Sequence, residues 1–148
     1  MRQRNKSKAW NKGMSKKPAS AVNNQVAGKP KPVILIVDDE FDITSTFSML
    51  FQLRGFETLI ANNGQHALDV MKTRIPDIIL SDCMMPVMDG IEFSMRVRNE
   101  PATADIPIIL ISAAPEKHNL SLAECNIFLR KPIRFHELLA SVLKLLPL

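Results

Sequence analysis

The chain has 148 residues, 46% hydrophobic and 23% charged, with two cysteines and a formal charge of +4. This is the composition of an ordinary globular domain, and it excludes a collagen-like chain, a wholly disordered one and a disulfide scaffold. No stretch approaches the roughly 18–20 unbroken apolar residues of a membrane span, and the two cysteines, Cys83 and Cys125, suit a reduced, cytoplasmic setting.

The charge is unevenly divided. Residues 1–32 carry nine Lys and Arg and no Asp or Glu, which leaves ten basic and all 15 acidic residues in 33–148, a net of −5. The first 32 residues have almost no apolar periodicity, and Trp10 is their only aromatic. Such a segment buries too little surface to offset its ordering entropy. Residues 1–32 are therefore expected to form a disordered basic tail that ends in the stiff Lys29-Pro30-Lys31-Pro32. The bland reading of the tail is a solvated charge run. The alternative is that it adds nucleic-acid or anionic-surface binding to the domain that follows.

Residues 33–148 read as one domain. Val33-Ile34-Leu35-Ile36-Val37 predicts a first strand. Ile43, Phe47, Leu50 and Phe51 then recur at helical spacing, and Gly55 is placed to close that helix in a left-handed conformation. Phe56–Ile60 predicts a more polar second strand, and Ala67, Val70 and Met71 a second helix after Asn63-Gly64. Asp77–Ser81 predicts the third strand, followed by a helix over 91–98 opened by Asp89-Gly90. Ile106–Ile111 predicts the fourth strand. The next helical stretch, 115–124, has the weakest periodicity, with Leu120, Leu122 and Ala123 as its apolar members. Ile127-Phe128-Leu129 predicts a fifth strand. Leu138, Leu139, Val142, Leu145 and Leu146 mark a last helix. Near-continuous apolar strands are those buried on both faces, so the first, third and fourth are central. The pattern predicts an α/β fold: a doubly wound, flavodoxin-like, five-stranded parallel sheet of order 2-1-3-4-5 with helices on both faces.

In such sheets ligands bind beyond the carboxyl ends of the strands. Strand one ends in Asp38-Asp39-Glu40, strand three at Asp82, strand four at Ser112 and strand five at Lys131-Pro132. Three carboxylates within about 5 Å repel by several kcal/mol at an effective dielectric near 20, so a counter-charge is needed. Hard oxygen ligands without His or Cys suit Mg²⁺. A carboxylate can also act as a nucleophile toward phosphorus, with Lys131 and the Ser112 hydroxyl receiving the phosphoryl oxygens.

The segments "VILIVDDE", "PDIILSDCMMPVMDGIEF", "IPIILISA" and "LRKPI", in this order and spacing, carry a family likeness. From about Val33 to Leu146 the chain resembles the response-regulator receiver domains of two-component signalling, of single-domain type. The resemblance implies that Asp82 is the phosphoacceptor. It implies that Asp38 and Asp39 are the acidic pair holding Mg²⁺, with Asp39 the direct ligand and Asp82 and the Met84 backbone carbonyl completing the set. Ser112 takes the place of the switch hydroxyl. Lys131 is the phosphate-binding lysine, with a cis bond to Pro132. Pro86 and Gly90 shape the loop after Asp82, and Phe128 stands where the family carries an aromatic switch residue. A histidine kinase or a histidine phosphotransfer protein would be the donor. The domain would be a signalling element rather than an enzyme. The chain ends at Leu148 just after the last helix, so its output is expected to be binding of a downstream protein rather than an appended output domain.

Two departures from the family pattern stand out. The stretch from Ser112 to Lys131 is shorter than usual, and Glu124 stands where a Gly often precedes strand five. The region 113–126 is therefore expected to be short, displaced or partly unfolded, with an altered output surface. Met84 and Ala114 flank the expected path of hydrolytic water, and neither offers it a hydrogen bond, so no unusually fast self-dephosphorylation is expected. An aspartate-nucleophile phosphatase, in which the nucleophile ends strand one and a second Asp follows two places on, is disfavoured by Asp38-Asp39-Glu40-Phe41-Asp42. Bland roles remain for several residues: Asp38 and Asp39 as helix caps, Phe128 as core, and Cys83 as a buried thiol. Met84, Met85 and Met88 read as loop packing, and His66, His118 and His136 as exposed.

Overall fold

The computed structural model describes residues 28–117 and 120–147. The expectations for residues 1–27 of the tail and for His118 lie outside the described residues. The strands are β1 (Val33–Val37), β2 (Glu57–Ala61), β3 (Ile78–Asp82), β4 (Ile108–Ser112) and β5 (Ile127–Arg130). The helices are α1 (Phe41–Leu53), α2 (Gly64–Thr73), α3 (Gly90–Asn99) and α4 (Phe135–Leu145). The strands form one parallel sheet of order β2-β1-β3-β4-β5, the predicted order. Every residue of β1, β3 and β4 is buried, whereas β2 and β5 are only partly so. That is why the inner strands read as unbroken apolar runs and the edges do not.

The pleat divides the core in two. Ile34, Ile36, Ile78, Leu80, Ile109 and Ile111 pack with Phe51 of α1 and Leu138 and Val142 of α4. Leu35, Val37, Ile79, Ile108 and Leu110 pack with Met71 of α2 and Phe93 and Val97 of α3. Each fully buried side chain of this size contributes roughly 1.5–3 kcal/mol. The sheet is therefore a stiff platform whose carboxyl edge cannot easily shift.

The helix ends are set locally. Asn63 and Asp89 cap α2 and α3, their side-chain oxygens accepting from the backbone N–H groups of His66 and Glu92, each at 2.8 Å. Gly55 closes α1 at φ 90°, as its place in the sequence predicts. The N-cap of α1, Glu40, makes no side-chain cap bond. Instead Asp38 Oδ1 accepts from the Glu40 N–H at 2.9 Å, so Asp38 steadies the turn into α1 without capping the helix itself.

The predicted helix over 115–124 is absent from its described residues. Two 3-10 turns, Pro115–Lys117 and Leu120–Leu122, take its place. This agrees with the expectation that the region 113–126 is short or partly unfolded, since its scattered apolar side chains build no continuous helical face. Side chains anchor its far end. The Glu124 N–H donates to Ser94 Oγ of α3 at 3.1 Å. Asn126 Oδ1 accepts from the Ile108 N–H and from Arg98 Nη2, each at 2.8 Å. Strand four also starts later than predicted, at Ile108 rather than Ile106, because Pro107 has no N–H to give the ladder.

Candidate functional site

Four strand ends deliver five side chains to one place. One carboxylate oxygen from each of Asp38, Asp39 and Asp82 lies within 4.8 Å of the others. Lys131 Nζ, carried just beyond β5, is 3.3 Å from Asp82 Oδ1 and 3.5 Å from Asp38 Oδ2. Asp82 is 8% and Asp38 5% exposed, Ser112 is buried, and Asp39 is open to solvent. A cavity of about 400 Å³ is bounded by Asp39, Asp82, Met84, Ser112, Ala114 and Lys131. The residues singled out at the strand ends thus converge on one acidic cup.

The carboxylates are not equivalent. Both Asp38 oxygens are engaged, one by the Glu40 N–H and one by Lys131. Asp39 has no hydrogen-bonding or ion-pair partner among the described residues and faces the cup, which leaves its oxygens free for a cation. Burial pushes the Asp82 carboxyl up to about 6; Lys131 pulls it back, and Asp38 and Asp39 push it further. Burial disfavours charge on Lys131, but the pull of Asp82 and Asp38 outweighs it and leaves the ammonium above its ordinary value.

The loop after Asp82 is held tightly. The Gly90 N–H donates to the Cys83 carbonyl at 2.9 Å, and a Cβ on Gly90 would overlap the Asp82 carbonyl oxygen. The expected loop-shaping role of Gly90 is thus a matter of close backbone approach. The Gly64 N–H donates to the Met88 carbonyl at 3.0 Å, tying the loop to the start of α2. The Lys131–Pro132 bond is cis, as the resemblance implied. Met85 and Met88 pack in the loop, but the Met84 side chain is exposed, contrary to its reading as packing. Cys83 is buried, and burial, then the nearby Asp82 charge, pushes its thiol up to about 12, the signature of an inert structural cysteine. His66 and His136 are exposed.

Ser112 Oγ accepts from the Ala114 N–H at 3.2 Å, and Ser112 also accepts the Lys131 N–H on its carbonyl at 2.9 Å. Phe128 does not enter the cup. It lies opposite Leu110, two residues short of the Ser112–Arg130 pair, and is half-buried against the core on the α2/α3 face.

Sequence reasoning missed two features. Ala113 lines the cup beside Ser112, and an alanine carries no chemical signal of that place. Val87 sits at φ 70° in a γ-turn closed by the Met88 N–H on the Pro86 carbonyl at 2.8 Å, with its side chain 83% exposed. A β-branched residue is among the least expected there, so no pattern announces it.

The family model of the response regulator receiver domain matches residues 34–143, and the chain belongs to that family. Residues 1–32 lie outside the match. The phosphate regulon transcriptional regulatory protein PhoB of Pseudomonas aeruginosa is 43% identical over 86 residues, 58% of this chain and 38% of PhoB. The chain therefore spans well under half of that longer regulator. The polar-differentiation response regulator DivK of Brucella anthropi is 31% identical over 120 residues, 77% of this chain and 97% of DivK. Among solved structures, the chemotaxis response regulator CheY4 of Vibrio cholerae superposes with a TM-score of 0.72 at 31% identity, covering 78% of this chain and 99% of CheY4. Receiver domains are signalling domains rather than enzymes of the usual kind, work with histidine kinases, and bind Mg²⁺ at an acidic cluster such as this one. Among the described residues no helix is long and apolar enough to cross a membrane.

Proposed function

We propose that this domain accepts a phosphoryl group onto Asp82 from the phosphohistidine of a cytoplasmic histidine kinase or histidine phosphotransfer protein, and that the modification switches its binding to a downstream protein. One observation carries the reading: three carboxylates, a lysine and a serine from four strand ends meet in one cup. Asp82 Oδ2 has no donor among the described residues, so it is the free nucleophile. Its attack forms the O–P bond as the donor's P–N bond breaks, and the electron pair leaves with the imidazole nitrogen.

Asp38, Asp39, Asp82 and the Met84 carbonyl would hold Mg²⁺, Asp39 most directly because its oxygens are unengaged. Three hard oxygen donors without His or Cys fit that ion. When bound, it supplies the positive charge that offsets the carboxylates and the incoming phosphoryl oxygens. Lys131 adds to this, because its ammonium already stands 3.3 Å from Asp82 Oδ1 and needs only a small movement to meet phosphoryl oxygens. Ser112 accepts a hydrogen bond from Ala114, which leaves its hydroxyl proton free to donate to the modified side chain. Such a bond draws Ser112 toward Asp82 and opens space along β4 for Phe128 to turn. This is a population shift driven by one added charge. The altered surface is the one formed by β4, β5, the segment between them and α4.

Intact mass after incubation with a small phosphodonor and Mg²⁺ tests the reading. Wild type should gain one phosphoryl group and Asp82→Asn none; modification of the variant to the same extent overturns the assignment. Met84 and Ala114 both line the cup and neither side chain can orient water, so the phosphoryl group should outlast a few seconds. Loss within that time, followed by the same mass measurement, would contradict this.

A further inference from the structure

Backbone bonds pin the loop that completes the cup. Its near end is fixed where the Cys83 N–H donates to the Ile111 carbonyl at 2.9 Å, and its far end where the Gly90 N–H returns to the Cys83 carbonyl. Both pins fall on Cys83, so by themselves they do not set the height of the crown between, Met84–Met88. A further pin comes from another element. The N–H of Gly64, the first residue of α2, donates to the Met88 carbonyl at 3.0 Å. The fit is close: a Cβ on Gly64 would stand 2.8 Å from Met88 Cγ and 2.9 Å from its carbonyl oxygen and its sulfur. The start of α2 is itself held, since Gly64, Ala67 and Met71 are buried and Asn63 caps the helix.

Few soft torsions lie between Met88 and Met84. Val87 sits at φ 70°, and the Met88 N–H closes its turn on the Pro86 carbonyl at 2.8 Å. A β-branched residue has little room to move in that region. The ring of Pro86 locks its φ, and Met85 is buried. The Val87 side chain is exposed, so packing within the domain does not explain that backbone. Strain of this kind persists where the surrounding structure fixes it, and it gathers at functional sites. The segment therefore passes a displacement of Met88 on to Met84, which lines the cup, instead of absorbing it.

We propose that Gly64 and Val87 are positioning residues of the cup: the first turn of α2 sets where the Met84 carbonyl stands, and the Val87 turn is the strut that carries the setting across. The metal half of this rests on the proposed function, in which that carbonyl helps to hold Mg²⁺; the mechanical half does not. Mg²⁺ tolerates little departure from its ligand geometry, so a small displacement of one oxygen is felt.

The test compares full-length wild type, Gly64→Ala, Val87→Gly and the double variant by amide NMR, first without metal and then titrated with magnesium chloride. Glycine at 87 frees the turn. Without metal, Gly64→Ala should shift the Met84 and Met85 amides, and should shift them much less when position 87 is glycine. Gly64→Ala should weaken Mg²⁺ binding about tenfold, but by less than about threefold in the Val87→Gly background. Where Gly64→Ala does not fold, Met88→Leu, which branches at the Cγ facing Gly64, presses on the same contact. Urea unfolding separates positioning from general damage, because a merely structural role lowers stability and leaves Mg²⁺ affinity where it was. That outcome, an equal loss of affinity in both backgrounds, or shifts confined to α2 overturns the proposal. Coupled shifts in a protein that binds no Mg²⁺ would sink the proposed metal site and leave the strut standing. A protein that binds Mg²⁺ and takes the phosphoryl group, yet is indifferent to Gly64→Ala, would do the reverse.

Discussion

The acidic cup and the β4–β5 connection stand at opposite extremes of support. The cup rests on β1, β3 and β4, buried at every position, and on a loop in which Gly90 leaves no room even for a Cβ. The connection rests on two 3-10 turns and a handful of side-chain bonds. Chemistry that needs carboxylates placed to within an ångström belongs on the first kind of scaffold. A surface that must change with a single modification belongs on the second, because local opening is easiest where few apolar contacts hold the backbone. The two regions meet at Ser112, whose backbone belongs to the rigid sheet and whose hydroxyl is bonded to the start of the connection.

The largest expected effect sharpens the rigid side of this contrast. A carboxyl has an ordinary value of about 3.9, and burial raises that of Asp82 to about 6. Below about pH 4 both folded and unfolded states hold the proton. Between about pH 4 and 6 only the folded state does, so stability falls as pH rises through that window, and above it the deficit is complete. Asp82→Asn should therefore be more stable than wild type at neutral pH by about 1–3 kcal/mol, with the gain gone below about pH 4. Urea unfolding of both proteins across this range checks it. A variant no more stable than wild type at pH 7 would mean that the cup does not strain its own scaffold.

On the connection, Asn126→Ala removes the acceptor of the Ile108 and Arg98 hydrogen bonds and leaves the first N–H of β4 without its partner. A loss of about 1–2 kcal/mol is expected, together with faster hydrogen exchange across 113–126 than in β1 or β3. Uniform loss of protection through the sheet would erase the distinction between the two regions. The smallest effect belongs to Glu116→Gln. The Glu116–Arg130 pair spans 3.7 Å with both side chains largely exposed. Its removal should change the unfolding midpoint by less than the equivalent of about 0.5 kcal/mol. A larger change would show that the first turn is held by more than its neighbours in sequence.

Much of this molecule is legible in its letters. The apolar runs around Ile36, Leu80 and Ile109 announce strands covered on both faces, and their ranking places them at the centre of the sheet. Gly55 and Asp89-Gly90 announce helix ends through local backbone preference. The acidic pair, Asp82, Ser112 and Lys131 are legible because each directly ends or follows a strand, so chain position alone brings them to one edge. The region 115–124 is legible in part: its scattered apolar residues suggest a weak helix, while the short stretch from Ser112 to Lys131 announces the departure from one that the two 3-10 turns show.

Sequence by itself determined which side chains reach the carboxyl edge, since parallel strands deliver their last residues there whatever surrounds them. Only the tertiary structure decided what those side chains do to one another: that Asp38 is taken up by Glu40 and Lys131 while Asp39 has no partner among the described residues, and that Ser94 holds Glu124 thirty residues away. These depend on distances across the fold. Burial and Coulomb forces act through those distances, and a linear chain carries no record of them.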